Sequence, residues 1–132
     1  SVGRLASRVS LILKGKNKPQ YSPNLPVGDG VIIINTDKVR FSGNKTTDKK
    51  YYKHTGHPGG IKEITPEKLK EKNKSDDIIK KAIKGMLPNS PLFRDLMKNN
   101  LKIYKDANHP HDSQNPKLLD FKSMNRKNEV NV

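Results

Sequence analysis

The sequence predicts an α/β fold in which helices flank a small, mostly parallel sheet. Four consecutive β-branched residues, 31–34, are typical of a strand that is buried on both faces. Segments with helical spacing lie before and after this strand, and a second apolar stretch at 101–104 reads as another short strand. Strands that alternate with helices in this way indicate a layered α/β architecture.

The length of 132 residues and a hydrophobic content of 31% allow one modest core. We therefore predict a single domain over residues 1–121. Residues 122–132 are polar and charged for the most part, and we expect them to form an extension without regular structure.

Residues 2–14 are expected to form an amphipathic helix. Apolar residues recur at the spacing of one helical face, as in Leu5, Val9 and Leu13. Gly15 directly follows this predicted helix, at the position where a glycine commonly ends a helix. Three basic residues are predicted on the opposite face: Arg4, Arg8 and Lys14.

Prolines and glycines between 15 and 30 indicate a loop, which carries Lys16 and Lys18 at its start. The loop does not have the spacing of a nucleotide-binding phosphate loop. After the strand at 31–35 we expect a second short strand at 38–41, and then a basic turn over 42–50.

Three further helices are predicted from cap residues and periodicity. Thr65 followed by Pro66 predicts a helix that runs to about residue 72. Ser75 is predicted to cap a helix that ends before Pro88, with Asp76 and Asp77 placed to favour the helix dipole. A third helix is expected over 91–99, just before the strand at 101–104.

The net charge is the strongest functional signal in the sequence. Lysine and arginine number 27 against 13 aspartates and glutamates, a formal net charge of +14 that is spread along the chain. Such a surface repels itself, and a polyanion relieves that repulsion while releasing condensed counterions. Nucleic acid is therefore the favoured partner, ahead of a membrane surface or a protein that is merely basic.

Four histidines occur in two close pairs, His54 with His57 and His109 with His111. A metal site is disfavoured because the chain has no cysteine, few acids lie near either pair, and the surrounding charge is positive. Acid–base catalysis of RNA cleavage is a further alternative. The segment "YYKHTGHPGG", 51–60, favours a third interpretation, since stacking rings, a cation and compact glycines suit an irregular RNA surface.

A series of segments in this order resembles one known family. These segments are "GRLAS", "LKGK", "GDGVIIIN", "SGNK", "YYKHTGHPGG", "KGMLP" and "HPH". The chain resembles the large-subunit ribosomal protein family L-thirteen, in its bacterial or organellar form, over about residues 3–121. The resemblance implies a three-layer α/β/α domain that binds and organises large-subunit ribosomal RNA during assembly, beside neighbouring ribosomal proteins. It implies no catalytic role, no cofactor, no metal and no small-molecule substrate.

Family members usually begin with a strand and a linker ahead of "GRLA", so we expect the sheet to be one strand short. Carried over by position, the family's contacts imply an RNA-binding set made of basic, polar and glycine residues. The set is Arg4, Arg8, Lys14, Lys16, Lys18, Asn44, Lys45, Lys53, His54, Thr55, Gly56, His57, Lys84, Gly85, His109 and His111.

Two other functions stay open from the sequence: a free-standing RNA enzyme that uses the four histidines, and a regulatory RNA- or DNA-binding module outside the ribosome. The excess of lysine over arginine and the frequent asparagine indicate an AT-rich genome. An AT-rich bacterial genome would produce the same bias. Taking the bias together with the unusual termini, we expect an organelle, a mitochondrion or plastid, in preference to a bacterial cytoplasm.

Overall fold

The computed structural model describes residues 1–121, 123 and 124. The predicted extension, 122–132, lies outside the described residues apart from those last two positions. The helices of the described part are α1 Val2–Lys14, α2 Lys45–Asp48, α3 Pro66–Glu71, α4 Ser75–Met86 and α5 Pro91–Asn99. The strands are β1 Val31–Ile33, β2 Tyr51–His54, β3 Ile61–Ile64 and β4 Leu101–Ile103.

The predicted α/β class is confirmed by a parallel pair of strands with helices on both sides. Strand β1 pairs with β4, so that Val31 lies opposite Leu101 and Ile33 opposite Ile103. Burial on both faces was expected along the whole first strand, and this expectation is wrong. Ile33 is buried, whereas its neighbours in the run are only half-buried, because the described parallel sheet has two strands and covers little area.

The core lies between this sheet and the packed pair α1 and α4. Leu13, Ile79 and Ile83 are almost fully buried there, and Phe93 and Met97 of α5 pack against the same cluster. A smaller apolar cluster forms around Val2, Leu69 and Ile78. Because α1 and α4 contribute to both clusters, the apolar faces predicted from helical spacing fix these two helices in place.

The helix predicted over 2–14 is confirmed, and the helices predicted near 66–72, 76–87 and 91–99 are confirmed to within one residue at each end. Gly15 adopts a left-handed conformation, φ 76°, and its amide donates to the carbonyl of Ile12. Thr65 caps α3, since its hydroxyl accepts a hydrogen bond from the amide of Lys68. These ends follow from local chemistry, and the sequence could therefore predict them.

The cap predicted for α4 is wrong. Ser75 is the first residue of the helix rather than its cap, and its hydroxyl donates to the Asp37 carboxylate at 2.6 Å. Asp76 in turn accepts a hydrogen bond from the buried hydroxyl of Thr36 at 2.7 Å. Both side chains at the start of α4 thus bind the segment that follows β1, a partner remote in sequence. The structural role predicted for Asp76 agrees with this contact.

The strand predicted over 38–41 is also wrong. The chain turns at Asn35, which has φ 56°, and enters a 3-10 turn over Thr36–Lys38. The carbonyl of Val39 then accepts from the Lys70 ammonium at 2.9 Å, and the carbonyl of Arg40 accepts from the amide of Val2. Contacts from two helices therefore satisfy this extended segment in place of a neighbouring strand.

Strands β2 and β3 form an antiparallel hairpin, a second sheet that was not predicted from the sequence. Tyr51 lies opposite Ile64, and both side chains pack against the smaller core cluster. Tyr52 points to the other face and is 64% exposed. Tyr51 therefore belongs to the core side of the hairpin, whereas Tyr52 does not.

Candidate nucleic-acid interface

Helix α1 presents Arg4 and Arg8 away from the core. Both side chains are exposed, whereas Ala6, Val9 and Leu13 on the other side of the helix are buried. The helix is held by the apolar side, so the two guanidinium groups extend from a rigid support. Planar guanidinium groups in such positions are suited to bidentate contacts with phosphate oxygens.

Lys14 does not share this exposed face, and its predicted placement opposite the core is wrong. Its side chain is half-buried, and its ammonium donates to the carbonyl of Met86 at 2.8 Å. Burial, followed by the charge of Lys16, lowers the pKa of Lys14. The side chain therefore ties the end of α1 to the end of α4, where a cation complements the helix dipole.

The two lysines of the loop after α1 differ in their surroundings. Lys16 is exposed, with its ammonium 5.7 Å from the centre of the Tyr21 ring. Lys18 donates to the carboxylate of Asp29 at 2.5 Å and to the carbonyl of Val27 at 3.1 Å. Lys16 thus offers its charge to solvent, whereas Lys18 helps to close its own loop.

A cleft of about 730 Å³ brings together parts of the chain that are distant in sequence. We call it the α1–α4 cleft, and it lies between the start of α1, the segment 41–49 and the end of α4. Its lining residues include Gly3, Phe41, Lys45, Asp48, Lys49, Lys81, Gly85 and Met86. The structure therefore joins two predicted residues, Lys45 and Gly85, with two lysines that the carried-over set omitted.

The two omitted lysines are held by aromatic rings. The ammonium of Lys81 lies 4.5 Å from the centre of the Tyr51 ring, and that of Lys49 lies 5.5 Å from the same centre. Burial raises the pKa of Tyr51, so the ring is neutral at physiological pH. Lys81 belongs to the helix predicted after Ser75, but its proximity to Lys49 depends on Tyr51 of the hairpin, which was not predicted.

Asn44 and Lys84 lie beside this cleft in sequence and are exposed. The carbonyl of Asn44 accepts from the amides of Thr47 and Asp48, and so begins the short helix α2. Lys84 belongs to α4, next to Gly85. Neither residue is among those that line the cleft.

The hairpin tip gathers the predicted residues Lys53, His54, Thr55, Gly56 and His57, all exposed. The Nδ1 atom of His54 accepts from the amide of Gly56 at 2.9 Å, so the neutral ring carries its proton on Nε2. Gly56 has φ 90°, a conformation that favours glycine. The loop thus fixes one imidazole with a donor directed away from the backbone.

The second histidine pair is bonded within its own loop. The Nε2 atom of His111 lies 2.7 Å from the hydroxyl oxygen of Tyr104. The backbone amide of His111 donates to Nδ1 of His109 at 3.3 Å. Both rings are half-buried. Both imidazoles therefore stabilise the loop that carries them.

Within the described part of the chain, no group of three or more histidine, cysteine, aspartate or glutamate side chains could hold a metal ion. No described helix is long and apolar enough to cross a membrane.

The comparisons with known proteins agree with the resemblance. The family model of Ribosomal protein L13 matches residues 1–110. Large ribosomal subunit protein uL13 of Methylobacterium nodulans is 50% identical over 127 residues, which cover 96% of this chain and 82% of the relative. The protein of the same name from Brucella canis is 52% identical over 131 residues, 99% of this chain and 84% of the relative. That of Neorickettsia sennetsu is 50% identical over 127 residues, 96% and 83% of the two chains. The chain therefore belongs to the ribosomal protein L13 family.

Proposed function

We propose that this chain is a structural constituent of the large ribosomal subunit that binds and organises ribosomal RNA. The similarity to proteins named large ribosomal subunit protein, over 96% of the chain, is the observation that carries the proposal. The net charge of +14 and the exposed arginines of α1 support RNA as the ligand within that particle.

The mechanism that we propose is electrostatic and geometric. The two apolar clusters, which share α1 and α4, hold these helices and the hairpin in a fixed relation, and each of these elements carries exposed cations. Lysines and arginines on different elements neutralise phosphates of different RNA segments and release condensed counterions. Because the support is rigid, binding fixes the spacing of those segments.

The carried-over RNA-binding set stays part of this proposal, with a division of roles. We assign direct RNA contact to exposed members such as Arg4, Arg8, Lys16 and Lys53. Lys14 and Lys18 already have partners in the chain, so we assign them to the support of the surface rather than to phosphate binding.

A catalytic role is not part of the proposal. His54 bonds its own loop through Nδ1, and His109 and His111 are linked to each other and to Tyr104. These contacts account for three of the four histidines without a reaction. A cleavage assay with a His57→Ala, His111→Ala double variant separates the two functions, because a scaffold has no turnover for that variant to lose.

Sedimentation tests the proposal directly. Tagged protein from its own cells should migrate with large subunits in a gradient of physiological ionic strength, and a high-salt wash should release part of it because phosphate contacts weaken with salt. A regulatory module that acts outside the ribosome would sediment as a free protein or with small RNA species. The second pattern would refute the ribosomal assignment.

The compartment remains a separate question. The relatives described above are bacterial, so they give no support to the expected organelle. We keep a mitochondrial or plastid location only as a hypothesis that cell fractionation tests. Recovery of the tagged protein with organellar ribosomes would support it, and recovery with cytoplasmic ribosomes would refute it.

A further inference from the structure

Two glycines of the α1–α4 cleft have no explanation inside the folded chain. Gly3 lies in α1 and Gly85 in α4, and both line the cleft. Neither has the positive φ that favours glycine. Apart from the adjoining residues and backbone of its own helix, a Cβ atom built on either residue would meet no described atom within 4 Å. The protein could therefore carry a side chain at both positions.

Glycine at these positions weakens the helices, because it costs more conformational entropy than alanine does. Gly15 and Gly28 show the contrast, since a Cβ atom at either would approach a neighbouring part of the backbone closely. Gly3 and Gly85 meet no such restriction. Their open sides face the same cleft, which suggests that a partner outside this chain approaches both helices.

The charge of the cleft indicates the chemistry of that partner. Lys45, Lys49 and Lys81 line it, and Asp48 is the one acid among the lining residues that the structure describes. The ammonium groups of Lys49 and Lys81 lie beside the same Tyr51 ring, where cation–π attraction holds them. Two like charges at one ring repel each other, and an anion bound between them would remove that repulsion.

We propose that the α1–α4 cleft seats the phosphodiester backbone of an RNA strand. The strand lies against the bare helix surfaces at Gly3 and Gly85, and the three lysines neutralise its phosphates. This inference rests on the proposed function, since it names the surface that receives the RNA. It adds Gly3, Lys49 and Lys81 to the residues carried over from the family.

Substitutions of increasing size at Gly85 test whether RNA occupies the α1–α4 cleft. Gly85→Ala should raise the melting temperature of the free protein, because the new methyl group enters open space and favours the helix. Gly85→Gln should leave the fold intact, as shown by its melting temperature, and should weaken binding to large-subunit ribosomal RNA at least tenfold.

A pair of lysine variants tests the charge of the cleft. Lys81→Gln should reduce the salt dependence of binding more than Lys80→Gln, because Lys80 lies on the same helix outside the cleft.

A tethered probe locates the RNA. The chain has no cysteine, so Ser42→Cys introduces a single thiol in the lining of the cleft. An iron chelate attached there should cleave ribosomal RNA at one site, and Gly85→Gln in the same protein should abolish that cleavage. The same probe at Asn99→Cys on α5 serves as the control and should cleave different nucleotides.

The outcomes separate the two proposals. Failure of the unaltered protein to bind ribosomal RNA would overturn the proposed function as a whole. Normal RNA binding with unchanged affinity in Gly85→Gln, or no RNA cleavage from position 42, would overturn the cleft alone. A lower melting temperature in Gly85→Ala would also overturn it, since another protein segment would then occupy the space.

Discussion

Lys14 provides the sharpest test of whether a basic residue of this protein binds RNA or supports the fold. Its ammonium donates to the carbonyl of Met86 at 2.8 Å and joins the ends of α1 and α4. Lys14→Met keeps most of the aliphatic stem and removes the charge and the donor. Arg8→Met, on the exposed face of the same helix, is the matched control.

The expected loss of stability for Lys14→Met is about 1 kcal/mol. Hydrogen bonds to charged groups contribute roughly 1.5–3 kcal/mol. We take a smaller value because the side chain is only half-buried and because burial partly desolvates its charged form, which also lowers its pKa. For a chain of this length the melting temperature should fall by roughly 3–4 °C.

Thermal unfolding and RNA binding at several salt concentrations measure the two effects separately. Lys14→Met should lower the melting temperature and leave the slope of log affinity against log salt almost unchanged. Arg8→Met should leave the melting temperature almost unchanged and should make the salt slope smaller by roughly 0.7–0.9. A reduced salt slope with an unchanged melting temperature for Lys14→Met would refute our interpretation of this residue.

Three further predictions concern the fold that carries the surface. Ile83→Ala empties a fully buried site between α1 and α4, and should cost roughly 3–4 kcal/mol in urea denaturation; a cost below about 1 kcal/mol would contradict the packing described. Burial raises the pKa of Tyr51, so the folded state keeps this proton longer than the unfolded chain does, and stability should fall as pH rises above the ordinary value of 10.0. Tyr51→Phe should lose less stability over that alkaline range, and an identical pH profile for both proteins would refute the assignment. A chain that ends at residue 121 should unfold in one cooperative transition and bind RNA as the longer chain does, whereas two transitions would argue against a single domain.

The sequence predicted those parts of the fold that local chemistry controls. The cap at Thr65, the left-handed Gly15 and the apolar spacing of α1 and α4 all act within a few residues, and each matched the structure. The strand predicted at 38–41 failed for the opposite reason. Its composition suits a strand, but a strand needs a neighbour, and the structure supplies contacts from Val2 and Lys70 instead.

The same distinction applies to the candidate interface. The exposed face of Arg4 and Arg8 follows from helical geometry, so the sequence could predict it. The same geometry predicted Lys14 on that face, and only the position of α4 decides that its ammonium reaches Met86 instead. The α1–α4 cleft joins positions 3, 45 and 85, and no local pattern indicates that these meet.

The salt dependence of binding to large-subunit ribosomal RNA tests the central claim most directly. Six basic members of the carried-over set remain after Lys14 and Lys18 are assigned to the support: Arg4, Arg8, Lys16, Lys45, Lys53 and Lys84. With roughly 0.7–0.9 log units per neutralised phosphate, these six residues give a slope of log affinity against log salt of about −4 to −5, and the cleft residues Lys49 and Lys81 would make it about −6 to −7. A slope near zero would show that these cations do not neutralise RNA phosphates, and would contradict the account.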